Sequence, residues 1–280
     1  MMLKIETIQP HEDLKRYIDF YYLIRDDNPD FSNTHYSFPH TVNAVTIYRQ
    51  ASFNSSFMES SISHDPDNDF LSLLQGKRQY PLKVNIAGKT DRICIWFKPL
   101  GLNHFITTSL SEIMGKVTNR FISWDSDPAY KACLEICFKD HDPERRIRVL
   151  ESFLLSKVRT FEPCKMDQAI QLLCDFNSAY TIDEIAHLLE IPIRTFNRVF
   201  KQLLGVSPVE YRNIARFRNS MNDKLLHPDI RKLTEIGYNS NFYDQSYFIK
   251  MYKKLAGAAP SVFFNAVDRL ADDKLIFQFV

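Results

Sequence analysis

Short runs of apolar and β-branched residues dominate the first hundred positions. The segments 43–49 (NAVTIYR) and 83–88 (KVNIAG) are typical of strands. The segment 92–99 (RICIWFKP) is apolar on both faces, which indicates a buried strand. Between them, residues 52–70 are polar and rich in breakers, which predicts a loop.

One segment of this region has a helical period instead. Residues 11–24 (HEDLKRYIDFYYLI) place four apolar side chains on one helical face: Leu14, Tyr17, Ile18 and Tyr21. The pattern predicts an early helix.

The period becomes helical between about residues 101 and 162. Ser109 and Glu112 have the spacing of a capping box, in which each side chain bonds the other residue's backbone N–H. The segment 145–158 carries an apolar stripe, formed by Ile147, Leu150, Phe153 and Leu154. The stripe predicts either dimer contacts or packing within one chain, and Pro163 interrupts the pattern at 161–167.

Helix starts are clear in the remaining part of the chain. Thr181 and Glu184 form a second candidate capping box. Ser207 and Glu210 form a third, with Pro208 at the favoured first helical position.

This part also contains an internal repeat. Residues 194–211 match residues 246–263 at an offset of 52, with aromatic, basic, glycine and proline positions in register. Upstream the offset is 51, so Ala186 corresponds to Gly237 and Ile191 to Phe242. Helices that cross closely need a small side chain at the contact, which Ala186 and Gly237 supply. Each copy therefore predicts a helix-turn-helix unit.

The second helix of each copy combines one apolar face with one basic or polar face. The apolar faces hold Phe196, Val199, Phe200 and Leu203 in the first copy, and Phe248, Met251, Tyr252 and Leu255 in the second. The opposite faces hold Arg194, Arg198 and Lys201 in the first copy, and Gln245, Ser246, Ile249, Lys250 and Lys253 in the second. Such side chains can bond base edges, contact a thymine methyl or reach phosphate, so the pattern favours double-stranded DNA as the partner.

Charge counts place this basic character in the two helices. Residues 166–264 hold 12 Lys and Arg against 10 Asp and Glu, a difference of only +2. The segments 193–201 and 245–254 each hold three basic residues and no acid.

A single helix from Pro208 to about Leu226 is predicted to join the two copies. Its 19 residues would span about 28 Å, and successive major-groove faces of B-DNA lie about 34–36 Å apart. One face of this helix holds Tyr211, Ile214, Met221 and Leu225, with the charged Arg218 as an exception.

Composition limits the alternatives. The chain has 280 residues, 45% hydrophobic and 25% charged, with a net charge of +1, as expected for globular domains. Neither a signal peptide nor a membrane span is predicted, so we expect a cytoplasmic protein. The five cysteines, at 94, 133, 137, 164 and 174, are odd in number and lack zinc-site spacing, so we expect buried thiols, no metal and no cofactor.

The residues of the repeat carry a family resemblance. In order and spacing, IAHLLEIPIRTFNRVFKQLLGVSPVEY, RFRNSMNDKLL and IGYNSNFYDQSYFIKMYKKLAGAAPSVFF resemble the DNA-binding domain of the AraC/XylS family of bacterial transcription regulators. The resemblance covers about 166–264 and implies an activator or repressor that binds promoters or operators, with RNA polymerase as a partner of an activator. It also implies base-reading roles for Arg194, Asn197 and Arg198 in the first unit, and for Gln245, Ser246 and Lys250 in the second.

The chain departs from the family pattern at five positions. Glu190 and Asn241 stand where a turn glycine is usual, and Asn accepts a left-handed backbone more readily than Glu. Pro192 replaces the usual capping serine and can occupy the first helical position. Gly237 replaces alanine and Phe264 replaces arginine.

The sequence as a whole predicts an α+β chain in four parts. These are a β-rich, cupin-like sensing domain (1–100), a helical connector with dimer contacts (101–165), an all-α domain of two helix-turn-helix units (166–265) and a C-terminal tail (266–280). A small-molecule effector is expected in the first part, where a set of aromatic residues forms either a pocket lining or plain core: Tyr21, Tyr22, Tyr36, Phe38, Tyr48 and Trp96. His35, His40 and His64 lack a metal-site pattern and are expected at the surface.

Two other functions compete with a DNA-binding regulator. The first is an enzyme fused to a DNA-binding module, but no Walker loop, GxSxG, HExxH or CxxC sequence supports catalysis, so no catalytic residue is assigned. Stoichiometric zinc or methyl transfer by the purified protein would favour this enzyme. The second is a ligand-binding or assembly module whose repeats do not bind DNA.

Overall fold

The computed structural model shows an α+β chain whose β-rich first part is followed by helices, which confirms the predicted fold class. It describes residues 5–114, 120–163, 165–178, 180–226, 233–242, 244–266, 268–269 and 276–279. The strands are β1 Ile5–Ile8, β2 Ile18–Asp26, β3 Ser32–Ser37, β4 Ala44–Arg49, β5 Ala51–Ser56, β6 Glu59–His64, β7 Phe70–Gln75, β8 Leu82–Ala87, β9 Thr90–Phe97, β10 Asp268–Arg269 and β11 Ile276–Phe279. The helices are α1 Leu110–Met114, α2 Pro128–Lys139, α3 Pro143–Lys157, α4 Met166–Cys174, α5 Ile182–Leu188, α6 Ile193–Leu204, α7 Pro208–Leu226, α8 Leu233–Asn239, α9 Gln245–Ala256 and α10 Pro260–Ala266.

The described strands form two sheets. One has the order β1-β2-β9-β4-β7, and the other has the order β10-β11-β3-β8-β6-β5. The predicted strands at 43–49, 83–88 and 92–99 are confirmed as β4, β8 and β9. β9 lies between β2 and β4 and is almost fully buried, as expected for a run that is apolar on both faces.

The predicted helix at 11–24 is wrong. Only Glu12–Leu14 forms a turn of 3-10 helix, and Ile18–Asp26 forms the central strand β2. Tyr21 pairs with Ile95 and Tyr22 with Cys94 of β9. Because β2 is buried on both faces, its continuous apolar run also satisfied a helical template, and aromatic strand propensity was the better guide.

The predicted loop at 52–70 is also wrong. β5 and β6 form a hairpin there, with Ser55 opposite Ser60, and Met58 adopts a φ of 64° at the turn. The alternation of buried and exposed positions is not visible in the serine-rich sequence, since Ser60 and Ile62 are buried in β6 while Ser61 and Ser63 are exposed.

Part of the segment predicted to be a tail (266–280) joins the six-stranded sheet. Residues 277–279 of β11 pair with residues 35–37 of β3, and β10 pairs with β11. The C-terminal end of the chain thus returns to the β-rich part.

Helices α1 to α3 follow the sheets. Ser109 Oγ accepts from the Glu112 N–H at 3.3 Å, which confirms one of the two bonds of the predicted capping box, and it donates to Glu112 Oε1 at 2.7 Å. The apolar stripe of α3 is buried in one core with strands β2, β4 and β9 and helix α2. The stripe therefore packs within the chain, which leaves the predicted dimer contacts without this support.

The expectation of surface histidines is wrong for His35, which is buried, and His40 and His64 are only partly exposed. The His35 ring is 7% exposed and lies 2.7 Å from Asn33 Oδ1. Burial, together with the nearby Arg92, lowers the pKa of His35 to about 3, so the ring is neutral at physiological pH.

Candidate DNA-binding surface

The first helix-turn-helix unit consists of α5, a tight turn and α6. Thr181 and Glu184 form the predicted capping box at the start of α5. Glu190 adopts a φ of 55° in the turn, the left-handed conformation that its position predicted. The Ile191 N–H then donates to the Ala186 carbonyl at 2.9 Å, which returns the chain across α5.

The second unit repeats this geometry with α8 and α9. Asn241 adopts a φ of 56°, and the Phe242 N–H donates to the Gly237 carbonyl at 3.1 Å. A Cβ atom at Gly237 would lie 3.3 Å from the Phe248 ring, so a small residue is needed where the helices cross. The two turns therefore match residue by residue, as the repeat predicted.

Helix α6 buries its apolar face and exposes its basic face. Phe196, Phe200 and Leu204 are fully buried, while Val199 and Leu203 are partly buried against the same core. The proposed DNA-contacting residues of α6 are all exposed: Arg194, Asn197, Arg198 and Lys201. Pro192 is the N-cap residue of α6, one position before the predicted one, and supplies no capping side chain.

Helix α9 has the same division. The predicted apolar face is buried in the core with α7: Phe248, Met251, Tyr252 and Leu255. On the other side, Ile249 is half-buried and four polar or basic residues are exposed: Gln245, Ser246, Lys250 and Lys253. Asp244 caps this helix by accepting from the Tyr247 N–H at 2.7 Å.

The connecting helix α7 has the predicted bounds, Pro208–Leu226. Ser207 Oγ accepts from the Glu210 N–H, and Glu210 Oε2 accepts from the Ser207 N–H at 2.8 Å, which completes the third capping box. Tyr211, Ile214 and Met221 are fully buried, whereas the Leu225 side chain lies outside the described residues.

Arg218, the charged exception on α7, contacts the β-rich part of the chain. Its Nε atom donates to the Pro39 carbonyl at 2.6 Å, and its Nη2 atom donates to the Phe38 carbonyl at 2.9 Å. Burial is the main cause that lowers the pKa of Arg218. The residue thus joins the connecting helix to the loop after β3.

Two further basic residues on α7 escaped the sequence analysis. Arg212 and Arg216 are half-buried and lie one helical turn apart. Burial is the main cause that lowers the pKa of each guanidinium, and the charge of Arg216 lowers the pKa of Arg212 further. The buried Arg216 Nε has no hydrogen-bond partner. The sequence feature that could have indicated them is a like-charge pair at positions i and i+4, which is unfavourable in an isolated helix.

The cysteines of the described residues are free thiols. Cys94, Cys133 and Cys137 are buried free thiols and Cys174 is partly buried, while Cys164 lies outside the described residues. Within the described ranges, no three His, Cys, Asp or Glu side chains form a group that could hold a metal ion. In the same part of the chain, no helix has the length and apolar character that a membrane span needs.

Most of the aromatic residues considered for an effector pocket belong to the core. Tyr21, Tyr22 and Tyr48 are buried among the sheets. Phe38 and Trp96 line a small cavity beside His40.

Comparison with known families matches both parts of the chain. Residues 185–266 match the family described as "Helix-turn-helix domain", and residues 6–119 match a "Domain of unknown function (DUF6597)". The first match coincides with the repeat and its two basic helices.

The chain is also similar to two curated proteins and to a solved structure. The chain is 29% identical over 137 residues to the arabinose operon regulatory protein of Escherichia coli (strain K12), which is 45% of this chain and 46% of that protein. It is 31% identical over 127 residues to the same protein of Salmonella typhimurium, which is 42% of this chain and 44% of that protein. The match thus spans about half the length of the curated relatives. ToxT from Vibrio cholerae aligns with a TM-score of 0.47 and 12% identity over 88% of this chain and 97% of that one.

Proposed function

We propose, from the AraC-type helix-turn-helix domain that the chain carries at residues 185–266, that this protein is a sequence-specific transcription regulator. One observation carries the proposal. Two helices at matched positions of a repeat expose basic and amide side chains, and none of the hydrogen bonds or ion pairs found within the described residues engages these side chains. An uncommitted surface of this kind suits the phosphates and base edges of double-stranded DNA.

In this proposal α6 and α9 are the reading helices, which are the helices that contact base edges. Arg194, Asn197 and Arg198 of α6 contact bases in one major groove, and Lys201 contacts a phosphate. Gln245, Ser246 and Lys250 of α9 contact bases in the next groove, Ile249 contacts a thymine methyl and Lys253 contacts a phosphate. Arginine pairs with guanine through two hydrogen bonds, which is the commonest specific contact in the major groove.

The connecting helix α7 sets the distance between the two reading helices, which has to match the distance between successive major grooves. Its 19 residues span about 28 Å at 1.5 Å per residue. Side chains that extend from either end bring this span to the 34–36 Å between successive major-groove faces. Both helices would then bind one side of the duplex.

Arg212 and Arg216 fit the same proposal as backbone contacts. They lie on the connecting helix between the two units, and Arg216 has a buried N–H without a partner. A phosphate between the grooves would supply the missing acceptor and the missing negative charge.

The remaining partners follow from this role. We propose a cytoplasmic protein whose part at 1–100 binds an effector, and whose DNA-bound form contacts RNA polymerase if it activates. A homodimer would use residues 101–165, where Ile136 and Leu155 are exposed apolar side chains. A monomer mass that does not change with concentration in sedimentation would remove the dimer from the proposal.

The function is tested by electrophoretic mobility shift on genomic fragments at a stated salt concentration. We expect a small set of fragments to shift at nanomolar protein in about 150 mM salt, since specific sites are typically bound at 10⁻⁸–10⁻¹¹ M. Equal, weak shifts of all fragments would favour a module whose repeats do not read DNA.

Replacing Lys253 by alanine should weaken binding to all sequences alike. Because the ammonium is proposed to displace one counterion from a phosphate, the slope of log K against log salt should fall in magnitude by about 1. The measurement is binding by fluorescence anisotropy at several salt concentrations. Lys131→Ala is the matched control, since Lys131 is also exposed but pairs with Asp69 in a part of the chain outside the repeat. An unchanged slope in Lys253→Ala would remove this residue from the interface.

A further inference from the structure

A cavity of about 470 Å³ lies between the β-rich part and helix α1. Its walls come from the end of β5, the segment from β7 to β8, and the last residues of α1. Cavities of this size accommodate small organic molecules.

The cavity walls carry positive charge and no carboxylate. Lys77, Arg78 and Arg120 line the cavity, and none of its lining residues is Asp or Glu. Lys77 is only 3% exposed, and its ammonium donates to the neutral Asn43 Oδ1. Arg78 Nη2 donates to Ser37 Oγ at 2.9 Å, again a neutral group.

Two polar atoms in the walls lack hydrogen-bond partners. The buried Arg78 Nε and Gln79 Nε2 atoms have no hydrogen-bond acceptor in the structure. Buried donors are almost always satisfied in folded proteins, so these two N–H groups indicate an acceptor that binds from the cavity.

Burial disfavours the charged forms of the basic groups in and beside the cavity. Burial lowers the pKa of Lys77 to about 7 and lowers that of Arg78 as well. The pKa of His40 is well below its usual range, because of burial first and then the charges of Arg218 and Lys77. A buried cation without a counter-charge destabilises the fold, so its presence calls for a compensating anion.

Another part of the cavity wall is apolar. Leu74, Leu82, Ile113 and Met114 line the same cavity. Phe57 and Tyr80 add two rings whose centroids are 5.2 Å apart. A ligand that satisfies both kinds of wall has an anionic group and an apolar or aromatic body.

We propose that this cavity binds a small organic anion, a carboxylate or a phosphate ester with an apolar body. Lys77 and Arg78 bind the anionic group, Gln79 donates to it, and Leu74, Ile113 and Met114 contact the body.

The cavity is connected to the first reading helix. Lys77 donates to Asn43, and Asn43 Nδ2 donates to Met114 Sδ at 3.8 Å. Helix α1 packs against α6, and Met114 fills the space beside Gly205, the left-handed residue that ends α6. An anion that draws Lys77 from Asn43 therefore alters the support of α6, and this regulatory step rests on the proposed function.

Calorimetric titration with phenyl phosphate and with benzoate tests the site, with the neutral benzamide as the matched ligand control. We expect saturable binding of at least one anion by the full-length protein and none of benzamide. Lys77→Met, which keeps the chain length and removes the charge, should weaken anion binding at least about tenfold. It should melt at the same temperature as the wild type or higher, since an unpaired buried charge is lost.

Control variants make the result decisive. Lys89→Met changes an exposed lysine of the same β-rich part and should leave anion binding unchanged. Arg78→Met is the second variant if Lys77→Met does not fold, and it should also lose binding. Absence of binding by both anions, equal binding of benzamide, or equal affinities of wild type and Lys77→Met would overturn the site.

Measurement of DNA affinity with and without the anion separates this inference from the proposed function. On a fragment that the wild type shifts, we expect the bound anion to change DNA affinity about 5-fold or more, and Lys77→Met to abolish the change. Anion binding with unchanged DNA affinity would overturn the regulatory step alone. A wild type that shifts no fragment would overturn the proposed function, and calorimetry would still decide the site.

Discussion

Replacing Phe217 by alanine is expected to lower the free energy of unfolding of the C-terminal region by about 3–5 kcal/mol. Phe217 is fully buried on the connecting helix, and its ring lies 5.0 Å from the Tyr252 ring and 6.0 Å from the Phe263 ring. Its removal leaves a cavity where α7 and α10 pack against α9, the second reading helix. Denaturant unfolding followed by circular dichroism measures the change.

Val209→Ala is the matched control for this prediction. Val209 lies on the same helix but is 54% exposed, so its truncation should change stability by no more than about 0.5 kcal/mol. If Phe217→Ala and Val209→Ala unfolded at the same denaturant concentration, the second unit would not be packed on α7 as described.

Replacing Arg198 by alanine is expected to weaken specific DNA binding by about 1–3 kcal/mol and to relax the preference at one base position. Arg198 is exposed on α6, on the face opposite the buried Phe196 and Phe200, so its loss should leave the fold intact. Anisotropy measured on the preferred site and on its single-base variants gives both the affinity and the specificity.

Arg148→Ala provides the control for Arg198. Arg148 is an exposed arginine on α3 that pairs with Glu144, away from the repeat. Its truncation should not alter DNA affinity. An Arg198→Ala protein that bound every sequence as tightly as the wild type would contradict the assignment of α6 as a reading helix.

The helix-turn-helix part could be predicted closely from sequence because its signals are local. Capping residues such as Thr181 and Ser207 fix helix starts, and the 3.6-residue period fixes the buried face. The repeat then tests each assignment against its copy, and the family resemblance placed Glu190 and Asn241 in the turns, where both have a positive φ.

The β-rich part was less predictable because strand pairing is not local. The run at 18–26 is buried on both faces, so it carries no alternation to separate a strand from a helix. In the hairpin at 51–64, serines occupy both the exposed and some buried positions, so polarity does not report burial.

The cavity could not be predicted because its residues are brought together by the fold. Lys77 and Arg78 follow a strand with no sequence feature that marks them as buried. Arg218 was recognised only as an exception on an apolar face. Its acceptors, the carbonyl groups of Phe38 and Pro39, lie about 180 residues away in sequence.

Selection of bound sequences from a random duplex library tests the central claim most directly. Two similar helices joined by a rigid helix should enrich two short conserved blocks whose centres lie about 10–10.5 base pairs apart, one helical turn. Enrichment of a single block, or of none, by the folded full-length protein would contradict the account.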